Sequence, residues 1–191
     1  MKNIAIFGSG SGSNAEKILE YFANCTHAKV ALIASNNSSS FILQRAKKHG
    51  VDSFIFSKKQ LLNFSEFNDK LLEKKIDFIV LAGFLLKIPK KLVTFYKNRI
   101  INIHPSLLPK YGGKGMFGMN VHKAIIENNE PYSGITIHLV NEFYDQGKIL
   151  FQEKCNVSTA ETAESLSKKI STLEHQFFAP TILNYIKKCQ S

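Results

Sequence analysis

The sequence predicts an α/β protein built on a mostly parallel sheet with helices on both faces. Short apolar runs alternate with helix-period segments, glycine and serine clusters mark the joins, and no repeat, low-complexity tract or linker breaks the alternation. A strand, a helix and a second parallel strand form a right-handed crossover that lays the helix on the sheet. With 191 residues, 44% hydrophobic and 21% charged, the chain can bury one substantial core, and a single domain over 1–191 is expected.

Ile4–Phe7 opens as an apolar strand, and the helix after it carries Ala15, Ile18, Leu19 and Phe22 at the i, i+3, i+4, i+7 spacing. Val30–Ala34 is a second buried run. Ser38–Ser40 offer caps for a helix through Gln44 and Lys48 that stops at Gly50. Ser53–Phe56 forms a third strand, Ser65 caps a helix carrying Phe67, Leu71 and Leu72, and Phe78–Leu81 is the fourth strand. Pro89 suits the first turn of a short helix. Ile100–Ile103 is the fifth strand, followed by a loop over 105–118 and a helix near Val121–Ile126. Ile135–Val140 and Ile149–Gln152 read as two strands joined by a loop containing Asp145. Ser158-Thr159-Ala160-Glu161 has the form of a capping box. The long helix beyond it places Leu166, Ile170, Leu173 and Phe177 on one face, and Pro180 is expected to kink or end it.

The formal charge of +10 favours anionic ligands. The lysines fall in scattered pairs such as Lys47-Lys48 and Lys90-Lys91 without interleaved aromatics, so the reading is small anions and no nucleic acid. No apolar run is long enough to span a membrane, and Met1–Gly8 reads as a first strand rather than a signal peptide. Cys25, Cys155 and Cys189 show no paired spacing, which points to the cytoplasm. The histidines lack the close ligand spacing of a zinc site, so no metal is expected.

Two stretches carry chemistry on their own residues. In Asn102-Ile103-His104-Pro105-Ser106-Leu107-Leu108-Pro109, strand alternation points Asn102 and His104 the same way, and Pro105 ends the pairing. An amide donor beside an imidazole suits a tetrahedral oxyanion. Gly8-Ser9-Gly10-Ser11-Gly12-Ser13-Asn14 joins the first strand to the first helix, where free N–H groups and the helix dipole bind phosphate. Gly10-x-Gly12-x-x-Ala15 also satisfies a dinucleotide fingerprint. However, Ser35-Asn36-Asn37 supplies no carboxylate for a ribose, and no Gly-Lys-Ser/Thr follows for a P-loop. A phosphomonoester cradle is the reading that remains.

With these stretches, Asp145-Gln146-Gly147-Lys148-Ile149-Leu150 completes a pattern that resembles the folate-dependent formyltransferases over essentially the whole chain. The loop Gly10–Asn14 is similar to the G-x-G-S-N loop of the branch acting on glycinamide ribonucleotide. The resemblance implies a single-domain Rossmann-like formyltransferase fold. It also implies transfer of the formyl group of 10-formyltetrahydrofolate, the co-substrate, to the amine of 5'-phosphoribosylglycinamide in purine biosynthesis. A hydrolase releasing formate from the same folate is the alternative. By the same resemblance Asn102, His104 and Asp145 are catalytic, with the aspartate supporting the histidine; a carboxylate close to an imidazole favours its charged form, so the His104 pKa is expected to be raised. Gly12, Ser13 and Asn14 would hold the substrate phosphate, and Ser171, Thr172, Leu173 and Glu174 the ribonucleotide. The folate would lie on Leu85, Leu86, Lys87 and Ile88 and on Asn141, Glu142, Phe143, Tyr144 and Asp145, with Asn102 shared. The partners implied are these small molecules, with no nucleic acid and no membrane, and a homodimer left open. Lys148 stands where many members have proline, no arginine lies near Phe64 for a folate contact, and Gly112–Gly118 differs from the commoner loop. His122, beside that loop, is expected to be structural or to support the site from behind the residues that touch substrate.

Overall fold

In the first strand, β1 (Lys2–Phe7), Ile4 and Ile6 enter one hydrophobic core while Ala5 and Phe7 enter another, all four fully buried. An uninterrupted apolar strand is what a sheet covered on both faces requires. The computed structural model describes residues 1–189, so the last two positions of the expected 1–191 domain lie outside the described residues.

The other strands are β2 (Ala28–Ser35), β3 (Ser53–Ile55), β4 (Phe78–Leu81), β5 (Ile100–His104), β6 (Tyr132–Leu139) and β7 (Ile149–Asn156). They form one seven-stranded sheet in the order β3-β2-β1-β4-β5-β6-β7. β1 to β5 run parallel, whereas β6 and β7 add antiparallel strands. The order reverses between β1 and β4, and the crevice beyond the carboxyl ends at such a point is where open α/β sheets bind ligands. The β6–β7 register shifts between Ile137, opposite Phe151, and His138, opposite Ile149, so Leu150 is an extra residue on the edge strand.

Helices α1 (Ser13–Phe22), α2 (Phe41–Lys48), α6 (Met119–Glu127) and α7 (Ala163–Lys188) cover one face; α3 (Lys58–Leu62), α4 (Phe64–Glu73) and α5 (Lys90–Phe95) cover the other. On α1 the residues expected to face the core, Ala15, Ile18, Leu19 and Phe22, are all buried. No helix among the described residues is long and apolar enough to cross a membrane.

Helix ends differ from the sequence reading where local caps compete. Ser57 and Gln60 form a capping box that starts α3, a helix the apolar pattern does not announce, and Asn63 rather than Ser65 precedes α4. Pro89 sits just outside α5 instead of within it. Thr162 and Ser165 form the box that starts α7, four residues beyond the expected one; Glu161 accepts from Ser165 and pairs with Lys169. Pro180 lies inside α7, which continues to Lys188. The lost ladder bond is outweighed by burial of Phe178, Ala179, Ile182 and Ile186 on both sides of it. Leu166 and Ile170 are buried as expected; Leu173 and Phe177 are partly buried against the same core, and Leu72 is exposed.

Candidate active site

A cavity of about 580 Å³ opens where β1, β4 and β5 end. Gly12, Ser13 and Asn14 line it together with Ser171 and Glu174 from α7. Gly12 precedes α1 with φ 70°, and a Cβ there would lie 2.8 Å from the Ile42 side chain, so only glycine lets this loop sit on α2. No side chain caps α1 among the described residues, which leaves its first N–H groups directed at the cavity. Asn14 donates from Nδ2 to Glu174 Oε2 at 2.8 Å, while its buried Oδ1 has no partner. Burial pushes the Glu174 carboxyl above the usual range, against the Asn14 hydrogen bond.

Thr172 and Leu173 do not reach the cavity. Thr172 is exposed and donates to the Lys168 carbonyl, and Leu173 packs on the core. Successive helix residues point about 100° apart, so four in a row cannot share a face. The opposite wall holds Leu85, Leu86, Lys87 and Ile88, with Asn141, Phe143, Tyr144 and Asp145 facing them. Glu142 is the exception: it is exposed and pairs with Lys90 at 2.8 Å.

Between these ends lie Asn102 and His104 of β5. The β5–β6 register sets Asn102 opposite His138 and His104 opposite Thr136, and directly opposed residues project to the same face. His104 Nε2 donates to the Tyr111 carbonyl at 2.7 Å, which fixes the tautomer and leaves Nδ1 as the exchangeable position. That Nδ1 lies 3.7 Å from Asp145 Oδ2, which also accepts the Gly113 N–H at 2.9 Å. His138 donates from Nδ1 to the Leu139 carbonyl at 2.9 Å, so its Nε2 accepts the Asn102 amide at 3.1 Å. The second Asn102 N–H stays available to the cavity. Asp145 Oδ1 is 3.7 Å from the same His138 nitrogen.

Asp145 has φ 54°, and a Cβ on Gly147 would overlap the Leu139 carbonyl, so Asp145-Gln146-Gly147 is shaped well beyond a generic turn. Burial pushes the Asp145 carboxyl up, yet the nearby imidazoles of His138 and His104 and the hydrogen bond from the Gly113 N–H hold it below the usual range. For His104 the balance runs the other way: burial pushes its pKa below the ordinary value and outweighs both Asp145 and the Tyr111 carbonyl. The net rise expected from the carboxylate alone is therefore not found.

Two cavity residues go beyond the sequence reading, which assigns His138 no part in the site and places His122 behind it. His138 is one member of an alternating strand, and only the β5–β6 register reveals that it faces Asn102. His122 lines the cavity from α6, with a buried Nδ1 lacking a partner, and burial lowers its pKa. The Gly112–Gly118 segment also gains a place, since Gly113 to Gly118 line the cavity.

Residues 2–182 match the family model described as formyl transferase, and the chain belongs to that family. More particularly, it is similar to the phosphoribosylglycinamide formyltransferase, chloroplastic, of Arabidopsis thaliana, 40% identical over 187 residues and 95% of this chain. The chain spans 64% of that relative's length. The phosphoribosylglycinamide formyltransferase of Haemophilus influenzae is 32% identical, with 97% of this chain and 87% of the relative covered. The crystal structure of the enzyme of that name from Bacillus halodurans superposes with a TM-score of 0.89 at 34% identity, covering 98% of this chain and 97% of that one.

Proposed function

We propose that the chain transfers the formyl group of 10-formyltetrahydrofolate to the amine of 5'-phosphoribosylglycinamide. The observation that carries this reading is one cavity with the glycine loop at one end, the 85–88 and 141–145 segments at the other, and Asn102, His104 and Asp145 between them. The relatives' shared name, phosphoribosylglycinamide formyltransferase, supports the same acceptor and the same group transferred.

The free N–H groups of α1 and the Gly12 loop fit a phosphate, and the orphaned Asn14 Oδ1 beside Glu174 suits ribose hydroxyls. Leu85, Leu86, Ile88 and Phe143 offer an apolar seat for a pterin-bearing ligand. As the amine attacks, negative charge develops on the formyl oxygen. The Asn102 amide, steadied by His138, donates to it, and so does His104 once Nδ1 is protonated. Because Nε2 already donates to Tyr111, Nδ1 carries the moving proton, and Asp145 faces it. That proton passes from the incoming amine to the departing folate nitrogen through His104, or through a water it shares with Asp145. No covalent intermediate is required.

The test is formation of tetrahydrofolate from 10-formyltetrahydrofolate with and without the ribonucleotide. Strict dependence on the amine is the expected result. Equal rates in its absence would assign the site to a hydrolase.

A further inference from the structure

Ser9 does not line the cavity, yet it sits between the two loops that do. Its side chain is nearly buried, at 8% exposure. The hydroxyl donates to Asn36 Oδ1 at 2.7 Å and accepts the Leu85 N–H at 3.1 Å. The Ser9 N–H donates to the Gly83 carbonyl at 3.1 Å. One residue thus ties the start of the glycine loop to the start of the 85–88 segment across the switch point of the sheet, with Asn36, just beyond the end of β2, as the acceptor of its hydroxyl. On the other side the glycine loop is clamped by the Ile42 N–H, donated to the Gly10 carbonyl at 3.3 Å. Arg45 Nε adds a second clamp from α2, on the Ser11 carbonyl at 2.9 Å, so the loop is held by α2 on one side and through Ser9 on the other.

We propose that Ser9 is a positioning residue that couples the two substrate sites, so that ribonucleotide on the glycine loop tightens the folate on the Leu85 segment and the reverse. The proposal rests on the substrate assignment above. Phosphate drawn onto the loop N–H groups pulls the Gly8–Gly12 backbone toward one position. The hydroxyl, held by Asn36, transmits that position to the Leu85 amide. Coupling of this kind is reciprocal and typically amounts to about 5- to 150-fold in affinity.

The experiment measures tetrahydrofolate binding by calorimetry to the full chain, with and without saturating phosphoribosylglycinamide. This pair has no formyl group to transfer. In the wild type the ribonucleotide should tighten tetrahydrofolate by about fivefold or more. Ser9→Ala and Asn36→Ala should each cut that factor below about twofold, because an absent or unanchored hydroxyl no longer fixes Leu85. A merely structural Ser9 would weaken both ligands and leave the factor intact. If Ser9→Ala fails to fold, the Asn36→Ala result decides. Wild-type coupling retained in either folded variant, or no coupling in the wild type, overturns the proposal. A wild type that binds no ribonucleotide at all refutes the glycine-loop assignment, and the coupling with it, an outcome distinct from two ligands that bind independently.

Discussion

Asp145 Oδ2 lies 3.7 Å from His104 Nδ1, the one ring nitrogen left free by the bond to Tyr111. Burial opposes a proton there, and Asp145 favours it. Asp145→Asn removes the charge with little change of shape, so the His104 pKa should fall further. The limb on which activity is lost at high pH should then move to lower pH. On that limb, protonated His104 drops roughly tenfold each time its midpoint falls by about one on the pH scale. A pH–rate profile with His104 titrated by NMR in both proteins checks this. An unchanged His104 pKa and an unchanged profile would remove the pairing from the mechanism.

His138→Leu takes away the acceptor that orients the Asn102 amide. Turnover should fall about 10- to 100-fold, short of the ~10²–10³ typical when an oxyanion donor is lost outright. Both Michaelis constants should stay within a few-fold. Steady-state kinetics on both substrates checks the split; a large rise in either Michaelis constant with turnover unchanged would make His138 a binding residue instead.

Gly12→Ala puts a Cβ against Ile42 at a φ that L-residues adopt at a cost of ~1–2 kcal/mol. The loop must shift, so the Michaelis constant for the ribonucleotide should rise about tenfold, the equivalent of ~1.4 kcal/mol. That for the folate should change much less. The reverse pattern would mean that the loop serves the folate.

His104 and His122 are both buried and both held below the ordinary histidine value of 6.5. With the folded pKa below the unfolded one, the unfolded chain binds more protons between the two. Stability is then fully present above about pH 6.5 and is lost as pH falls through that window. Glu16, whose carboxyl Lys48, Arg45 and His49 hold down to about 2, adds a further loss only below its ordinary value of 4.5. Melting temperatures between about pH 7.5 and 5.5 should therefore fall with acidification, and less steeply in His122→Leu. An equal slope in the two proteins would show that His122 is not one of the groups responsible.

Strands were legible in the sequence wherever both faces are buried. Runs such as Ile4–Phe7 and Phe78–Leu81 leave no polar alternative, and each is a strand in the central sheet. Caps were less legible because several serines compete at each join, and Thr162 rather than Ser158 won where its hydroxyl could reach the N–H three residues on. Asn102 and His104 could be placed in one cavity because strand alternation is local. His138 could not, since its role depends on pairing 36 residues away. The sign of the His104 shift was hidden for a similar reason: burial is a property of the whole fold, whereas a neighbouring carboxylate can be guessed from a motif.

The extra residue Leu150 on β7 falls between the partners of Ile137 and His138. Because the irregularity lies on the β7 side, β6 keeps an unbroken register with β5, and His138 stays opposite Asn102. The edge strand is in this sense a slack cable. Insertions or deletions along β7 can be absorbed at the bulge without being passed inward, whereas one residue added to β6 would turn His138 to the far face and strand the Asn102 amide. Tolerance to length change should therefore drop sharply between the outermost strand and its neighbour, marking where the scaffold ends and the reaction machinery begins.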